Sequence, residues 1–194
     1  MKKLLLDYDN TICDFNQMLI KKWATLGGEY TKFKFNYDDI DEYSLINCLC
    51  KIGYTKRKAI ELLDNFWKVE DLYQEFYVEA KYREKVLRML TELKTDKNLY
   101  IELNTLCNTF TMTNSKLKKL EEDTELLKLI DNIVINTCNN YNKFKKAIDY
   151  DIVIDDNPTY IEHYLKNNKS GVVFMPKWNY NEYLLPNKQI ITIL

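Results

Sequence analysis

The chain has 194 residues, of which 46% are hydrophobic and 29% charged, and its formal net charge is −1 at pH 7. This is the size and composition of one globular domain, or of one domain with an insertion. The near-zero charge argues against a general nucleic-acid or membrane-surface binder, and the basic runs at 56–58 and 116–119 are interpreted as solvated helix faces.

The cysteines and the N-terminal residues indicate where the protein works. Five cysteines at scattered spacing with one histidine fit neither a disulfide framework nor a zinc site, so we expect reduced thiols and a cytoplasmic location. Residues 1–20 do not show a signal-peptide pattern, because acidic residues interrupt the first apolar run, and we expect no segment that spans a bilayer. The abundance of Asn, Lys, Ile and Tyr is typical of an AT-rich genome such as a phage genome, for which the location would be the host cytoplasm.

Short apolar runs alternate with helical patterns along the chain. Apolar residues repeat at helical spacing over 84–93 and 116–130, and Asn157 followed by Pro158 predicts a helix start. Strands that alternate with helices predict an α/β fold, with a parallel sheet and helices on both faces. The predicted strands are residues 4–6, 99–103, 133–135, 152–154, 172–174 and 190–193.

The interval between the first two predicted strands departs from this alternation. A single crossover needs only one helix, yet the pattern is helical throughout, so we predict a small helical cap inserted after the first strand. The cap is placed at 15–80, and residues 1–14 and 81–194 form the predicted core domain. The predicted cap helices cover 15–26, 39–51, 55–67 and 70–80.

Acidic residues end two of the predicted strands. Asp7 and Asp9 follow the first strand, and Asp155 and Asp156 follow the run at 152–154. Because the carboxyl ends of parallel strands share one edge of the sheet, these acids would converge there. Close carboxylates repel each other unless a cation relieves them, and hard oxygen ligands suit Mg²⁺. The pattern therefore predicts a magnesium-dependent active site.

These residues resemble the haloacid dehalogenase-like (HAD) phosphohydrolase superfamily, whose Rossmann-like fold carries an Asp-x-Asp-x-Thr motif after the first strand. Residues 4–11 match that motif, and residues 152–156 match the acidic fourth motif. Thr105 corresponds to the Ser/Thr that follows the second strand in the superfamily. The motif lysine would be one of Lys143, Lys145 and Lys146, of which Lys143 is preferred.

The resemblance implies a role for each position. Asp7 would attack phosphorus to form an aspartyl-phosphate, and Asp9 would protonate the leaving alcohol and then activate water. Thr105 and the lysine would bind and neutralise the phosphoryl oxygens, with Lys145 as a second substrate contact. Mg²⁺ would be bound by Asp7, the backbone carbonyl of Asp9, and either Asp155 or Asp156.

Residues 7–15 also resemble the opening of the 5′(3′)-deoxyribonucleotidases, whose pattern is Asp-x-Asp-Gly-Val-Leu-Ala-Asp-Phe. Asp14 and Phe15 keep the offset of that pattern, although the preferred interpretation of Asp14 is the N-cap of the next helix. The aromatic run at 66–73 and the segment 174–179 resemble later parts of the same family. Aromatic rings near the metal would stack on a nucleobase. The candidates are Phe15, Trp67 and Tyr73.

The sequence thus predicts a Mg²⁺-dependent phosphatase that acts on deoxynucleoside monophosphates. The expected partner is a small-molecule substrate, with no stable nucleic-acid complex and no membrane; a homodimer is compatible with the sequence. Two alternatives remain open: a HAD phosphatase for another small phosphate ester or a nucleic-acid 3′ end, and a non-enzymatic protein that sequesters a nucleotide.

Overall fold

The computed structural model of the chain describes residues 1–95, 98–137 and 148–193. Within these residues six strands form one sheet, and every neighbouring pair is parallel. All six predicted strands are confirmed. They are β1 (Lys2–Leu6), β2 (Leu99–Cys107), β3 (Asn132–Thr137), β4 (Ile152–Ile154), β5 (Val172–Pro176) and β6 (Ile190–Ile193), in the spatial order β3-β2-β1-β4-β5-β6.

Eight described α-helices accompany the sheet. As predicted, the Asp14 side chain caps the first helix by accepting a bond from the Gln17 backbone N–H, and Asn157 caps the last. Among the described residues, no helix combines the length and the apolar character that crossing a bilayer requires. The helices are α1 (Phe15–Thr25), α2 (Leu45–Lys51), α3 (Lys56–Phe66), α4 (Leu72–Glu75), α5 (Arg83–Lys94), α6 (Phe110–Glu122), α7 (Thr124–Leu127) and α8 (Pro158–Asn167).

Strand β1 shows how the sheet is buried on both faces. Successive side chains of a strand point to opposite faces. Leu4 and Leu6 belong to the cluster that contains residues of α5 and α6, whereas Leu5 belongs to the cluster that contains residues of α8. Helices therefore cover both faces, and the predicted α/β architecture is confirmed.

The strand order brings two carboxyl ends to the same crevice. The chain builds the sheet outward from β1 through β2 to β3, and then continues on the other side of β1 with β4, β5 and β6. Open α/β sheets bind ligands at such a switch point, outside the carboxyl ends of the strands. Strands β1 and β4 pair with Leu6 opposite Ile154, so the residues that follow them are neighbours.

The segment between β1 and β2 has its own apolar cluster. It includes Trp23 of α1, Leu49 of α2 and Leu62 of α3, and it is joined by Trp178 and Tyr180 from the loop after β5. This packing places α1 to α3 together beside the carboxyl edge of the sheet. The division of the chain into a core and a cap at 15–80 stays a prediction.

Three predicted helices differ in the structure. The helix predicted over 39–51 forms only as α2, which begins at Leu45 because the Ser44 side chain caps it by accepting the Asn47 N–H. Only the single turn α4 forms within 70–80, because Asp71 adopts a left-handed conformation (φ 57°) and residues 78–80 pair with the loop after β1. There the Asp14 N–H donates to the Val78 carbonyl at 2.8 Å, which takes the backbone bonding that a helix would use. The pattern at 116–130 is divided at Asp123, whose side chain caps α7.

Candidate active site

Three carboxylates meet at the carboxyl ends of β1 and β4. Asp7 follows β1, Asp155 and Asp156 follow β4, and the Asp7 N–H donates to the Ile154 carbonyl at 2.8 Å. One oxygen from each of the three carboxylates lies within 4.8 Å of the others, and all three residues are buried. Buried acids this close fit a divalent cation with hard oxygen ligands, because the cation offsets their repulsion. The sequence predicted Asp7 and one of Asp155 and Asp156 as the side-chain ligands of the metal.

Asn10 fixes the loop that leaves β1. Its φ of 55° is left-handed, a conformation that Asn tolerates better than most residues, which explains an Asn where the resembling nucleotidases have Gly. The Asn10 side chain donates to Asp156 Oδ2 at 3.3 Å and accepts the Asn16 N–H at 3.1 Å. Trp178 Nε1 donates to the Asn10 carbonyl at 2.9 Å. The loop is thus tied both to an acid of the site and to α1.

The two acids after β4 are held by different partners. Asp155 accepts the Asn157 N–H at 2.9 Å, at the start of α8. Asp156 accepts a hydrogen bond from the Tyr180 hydroxyl, and its backbone carbonyl accepts one from Asn181 at 2.9 Å. Burial and the Asp156 carboxylate raise the pKa of Tyr180 well above its ordinary value, so Tyr180 stays a neutral donor.

Asp9 is bound through both of its carboxylate oxygens. Tyr73 donates its hydroxyl to Oδ1 at 2.8 Å, and Lys116 Nζ donates to Oδ2 at 2.6 Å. Lys116 also donates to Thr105 Oγ1 at 2.8 Å and to the Leu106 carbonyl at 2.9 Å. Burial alone would lower the pKa of Lys116, but Asp9, Cys107 and Asp7 together outweigh burial, and the pKa lies above its ordinary value. Lys116 is therefore a buried cation beneath Asp9.

Lys116 corrects one interpretation of the sequence. The basic run at 116–119 was expected to be a solvated helix face, yet Lys116 is fully buried and Leu117 is 38% exposed. On α6, Lys116 lies four residues after Met112 and four before Leu120, both of which are buried. A lysine at helical spacing within an apolar stripe is the signal that would have identified it.

Of the predicted phosphate-binding residues, the structure describes Thr105. Thr105 is completely buried, and its hydroxyl is a partner of Lys116 rather than part of the cavity lining. Its contact with a phosphoryl group stays a prediction. Lys143, Lys145 and Lys146 lie outside the described residues.

A cavity of about 360 Å³ opens above the acids. Asp7, Asp9 and Asp156 line it from the sheet, and Phe15 and Trp67 line it from the segment between β1 and β2. The Phe15 and Trp67 rings are stacked, with centroids 5.8 Å apart and an interplanar angle of 12°. The cavity thus combines a carboxylate floor with an aromatic wall.

Tyr73 does not share that wall. Its side chain is completely buried, and it is not among the residues that line the cavity. The prediction that Tyr73 stacks on a base is therefore wrong for this arrangement, because the ring has no exposed face. Its hydroxyl serves Asp9 instead.

The charged side chains of the cavity wall are acidic. Asp64 lies on α3 between Ile60 and Trp67, which also face the cavity, and Glu42 is paired with Lys51 at 2.7 Å. No lysine, arginine or histidine is among the described residues that line the cavity. Among the described residues, the positive charge beside these acids is that of Lys116, which contacts Asp9.

Solved structures with the same fold are HAD-type hydrolases, although no family model and no curated protein sequence matches the chain. A candidate phosphoglycolate phosphatase from Lactobacillus plantarum is 10% identical with a TM-score of 0.61, over 99% of this chain and 94% of that one. A candidate haloacid dehalogenase-like hydrolase from Bacteroides fragilis is 14% identical with a TM-score of 0.57, over 94% and 92% of the two chains. A candidate β-phosphoglucomutase from Bacteroides vulgatus is 11% identical with a TM-score of 0.53, over 99% and 83%. Together with the parallel sheet and the acids at its carboxyl edge, these likenesses show that the chain has the Rossmann-like fold of the haloacid dehalogenase-like hydrolases.

Proposed function

We propose that the protein is a metal-dependent phosphatase that hydrolyses deoxynucleoside monophosphates through an aspartyl-phosphate. The observation that carries this proposal is the placement of Asp7 and Asp9 on the floor of one cavity, with Asp155 and Asp156 beside them. A binding protein would need neither a nucleophile nor a proton donor, so four acids in this arrangement favour catalysis.

Two half-reactions follow from these residues. A carboxylate oxygen of Asp7 bonds to phosphorus as the phosphorus–oxygen bond to the alcohol breaks, and Asp9 gives its proton to the departing oxygen. A water molecule then bonds to phosphorus through its oxygen and gives a proton to Asp9, and the bond between Asp7 and phosphorus breaks. The products are the alcohol and inorganic phosphate, and both acids return to their starting states.

The metal would be Mg²⁺, with Asp7 and the acids after β4 as its side-chain ligands. When bound, the ion offsets the negative charge of the phosphoryl group and of the carboxylates around it. Lys116 adds a second positive charge beneath the floor, on the far side of Asp9 from the cavity. Within the described residues it is the lysine that contacts one of the proposed catalytic acids.

The cavity wall supports a nucleoside as the leaving group. Phe15 and Trp67 offer aromatic surface in the cavity, and stacking contributes about 1–3 kcal/mol per base. The similarity of residues 7–15 to the deoxyribonucleotidases favours the same substrate class. The acid Asp64, with no lysine or arginine among the described lining residues, disfavours a leaving group with a second anion. A carboxylate such as that of phosphoglycolate would be repelled.

The test is phosphate release in the presence of Mg²⁺ from a substrate panel. It contains 5′- and 3′-deoxynucleoside and ribonucleoside monophosphates, sugar phosphates, 2-phosphoglycolate and an oligonucleotide with a 3′-phosphate. We expect turnover of deoxynucleoside monophosphates, and a loss on the order of 10³-fold or more in Asp7→Asn, which removes the nucleophile while keeping its shape. Asp38→Asn is the matched control, because Asp38 is exposed and does not line the cavity.

Each other outcome selects an alternative. Turnover of sugar phosphates alone would keep the mechanism and reject the nucleotide substrate, and turnover of the oligonucleotide alone would indicate an end-processing phosphatase. Tight nucleotide binding with no phosphate release would reject catalysis in favour of sequestration.

A further inference from the structure

Each oxygen of the Asp9 carboxylate accepts a hydrogen bond from a buried side chain. Tyr73 and Lys116, hereafter the Asp9 clamp, each donate to a different oxygen, at 2.8 and 2.6 Å. A carboxylate offers about four lone-pair positions, so the clamp leaves roughly two of them for a substrate or water. With two oxygens anchored, rotation of the carboxylate would break at least one bond.

The two donors of the clamp are also tied to each other. Ser115 precedes Lys116 on α6, and its Oγ accepts the Tyr73 N–H at 2.9 Å. Gln74 donates to the Ser115 carbonyl at 2.6 Å and accepts the Ser115 hydroxyl at 2.6 Å. These bonds lock α4 to α6, so that both donors approach Asp9 from a single rigid support. We therefore expect Tyr73 and Lys116 to keep their positions relative to each other.

Asp9 itself faces the cavity, whereas the clamp does not. Its side chain is 22% exposed and lines the cavity, and the side chains of Tyr73 and Lys116 are completely buried. Neither donor can therefore contact a substrate in this arrangement. Their influence on a reaction would pass through the position of Asp9.

We propose that Tyr73 and Lys116 are positioning residues that hold the Asp9 carboxylate where it exchanges a proton with the leaving oxygen and with water. The proposal rests on the proposed function. Proton transfer requires a heavy-atom separation of about 2.6–3.2 Å, and a misplacement of about 1 Å can lower a rate about 10²-fold. A carboxylate with both oxygens anchored keeps that separation, and the two residues that anchor it do not themselves bind the substrate.

The experiment compares two leaving groups. A deoxynucleoside monophosphate leaves as an alkoxide that needs a proton, whereas p-nitrophenyl phosphate leaves as a phenolate that is stable without one. The quantity compared is kcat/KM, which covers steps up to the aspartyl-phosphate and leaves out hydrolysis of that shared intermediate. The variants are Tyr73→Phe and Lys116→Met. Thermal melting shows that each variant is folded.

We expect kcat/KM for the nucleotide to fall about 10- to 100-fold in Tyr73→Phe, and that for p-nitrophenyl phosphate to fall less than about 3-fold. Lys116→Met should also lower kcat/KM more for the nucleotide than for p-nitrophenyl phosphate, in addition to a loss common to both substrates, because it removes a positive charge from the site. Tyr8→Phe is the matched control, because the Tyr8 hydroxyl is buried nearby without a hydrogen-bond partner among the described residues. It should leave both values within about 2-fold, since it removes no bond to Asp9.

The outcomes separate the clamp from the proposed function. An equal loss on both substrates in Tyr73→Phe, or no loss on either, would overturn the clamp while the phosphatase stands. A wild-type protein that releases phosphate from neither substrate would overturn the proposed function and the clamp with it. If Lys116→Met does not fold, Tyr73→Phe still decides, because Phe keeps the packing of the buried ring.

Discussion

Asn10 connects the loop after β1 to three other parts of the site. Its side chain bonds Asp156 and the backbone of α1, and its carbonyl accepts the Trp178 indole. It does so from a left-handed backbone conformation with φ 55°. The residue must therefore tolerate that conformation and also supply an amide, a combination that neither Gly nor Ala provides.

Two substitutions of Asn10 separate these requirements. Asn10→Gly keeps the backbone conformation but loses the bonds to Asp156 and Asn16, and we expect the free energy of unfolding to fall by about 1–2 kcal/mol. Asn10→Ala loses the same bonds and adds left-handed strain of about 1 kcal/mol. Urea unfolding monitored by tryptophan fluorescence measures both. Equal stabilities for the two variants would contradict the strain argument.

At the same scale, the sequence predicted the acids of the site but not their cationic partner. Asp7 and Asp155 could be predicted because they directly follow apolar strands, and parallel strands share a carboxyl edge. Lys116 could not be assigned by that rule, since it lies in mid-helix and the lysines at 118 and 119 look identical in sequence. Only its place between Met112 and Leu120 distinguishes it, and a buried charge is rare enough that the pattern favours the solvated interpretation.

Among the secondary-structure elements, those determined by local sequence were predicted, and those determined by tertiary contacts were not. The six strands were predictable because short β-branched runs have few alternatives in a chain that alternates them with helices. The segment 70–80 was not, because residues 78–80 are held by backbone bonds to the loop after β1, such as that from the Ala80 N–H to the Ile12 carbonyl at 3.0 Å. Helical propensity is a weak prior against such tertiary pairing.

The contact between α8 and β5 gives a prediction for an element boundary. A Cβ on Gly171, just before β5, would overlap the Tyr164 hydroxyl and lie 2.5 Å from its Cζ. The Tyr164 ring is buried, and its hydroxyl donates to the Tyr150 carbonyl at 2.9 Å, so it cannot move aside without losing that bond. We expect Gly171→Ala to lower the free energy of unfolding by about 1–3 kcal/mol in a urea titration.

The control for this substitution is another glycine. A methyl group on Gly27 would meet no other part of the protein within 4 Å, and the φ of this residue is −110°, so Gly27→Ala should change stability by less than about 0.5 kcal/mol. Combining Gly171→Ala with Tyr164→Phe should recover part of the loss, because the nearest clashing atom is removed. A Gly171→Ala variant as stable as the wild type would show that α8 shifts freely relative to β5.

At the scale of the whole molecule, the loop after β5 joins the sheet to the segment between β1 and β2. Trp178 and Tyr180 pack in the apolar cluster of that segment, while their polar atoms bond Asn10 and Asp156. The acids, the loop and the aromatic wall are therefore parts of one bonded arrangement. Any change in the balance of charge at the acids should be measurable as a change in global stability.

The repulsion among these acids predicts that Mg²⁺ reverses the order of melting temperatures between the wild type and variants of Asp155 or Asp156. Without the ion, Asp7, Asp155 and Asp156 repel one another, so Asp155→Asn or Asp156→Asn should melt at a higher temperature than the wild type. With Mg²⁺ at 100 times its dissociation constant, the wild type gains about 2.7 kcal/mol, and a variant that lacks a ligand gains much less. The order of melting temperatures then reverses.

Melting curves with and without Mg²⁺, at constant ionic strength, also identify the ligand among the acids after β4. The variant whose melting temperature no longer responds to Mg²⁺ has lost the metal ligand, whereas the other variant should still respond. Asp9→Asn should respond as the wild type does, because only the backbone carbonyl of Asp9 is a proposed ligand and the substitution keeps it. An identical Mg²⁺ response in all of these variants and in Asp7→Asn would mean that the ion binds elsewhere, and the three buried carboxylates would then need shared protons rather than a metal to remain together.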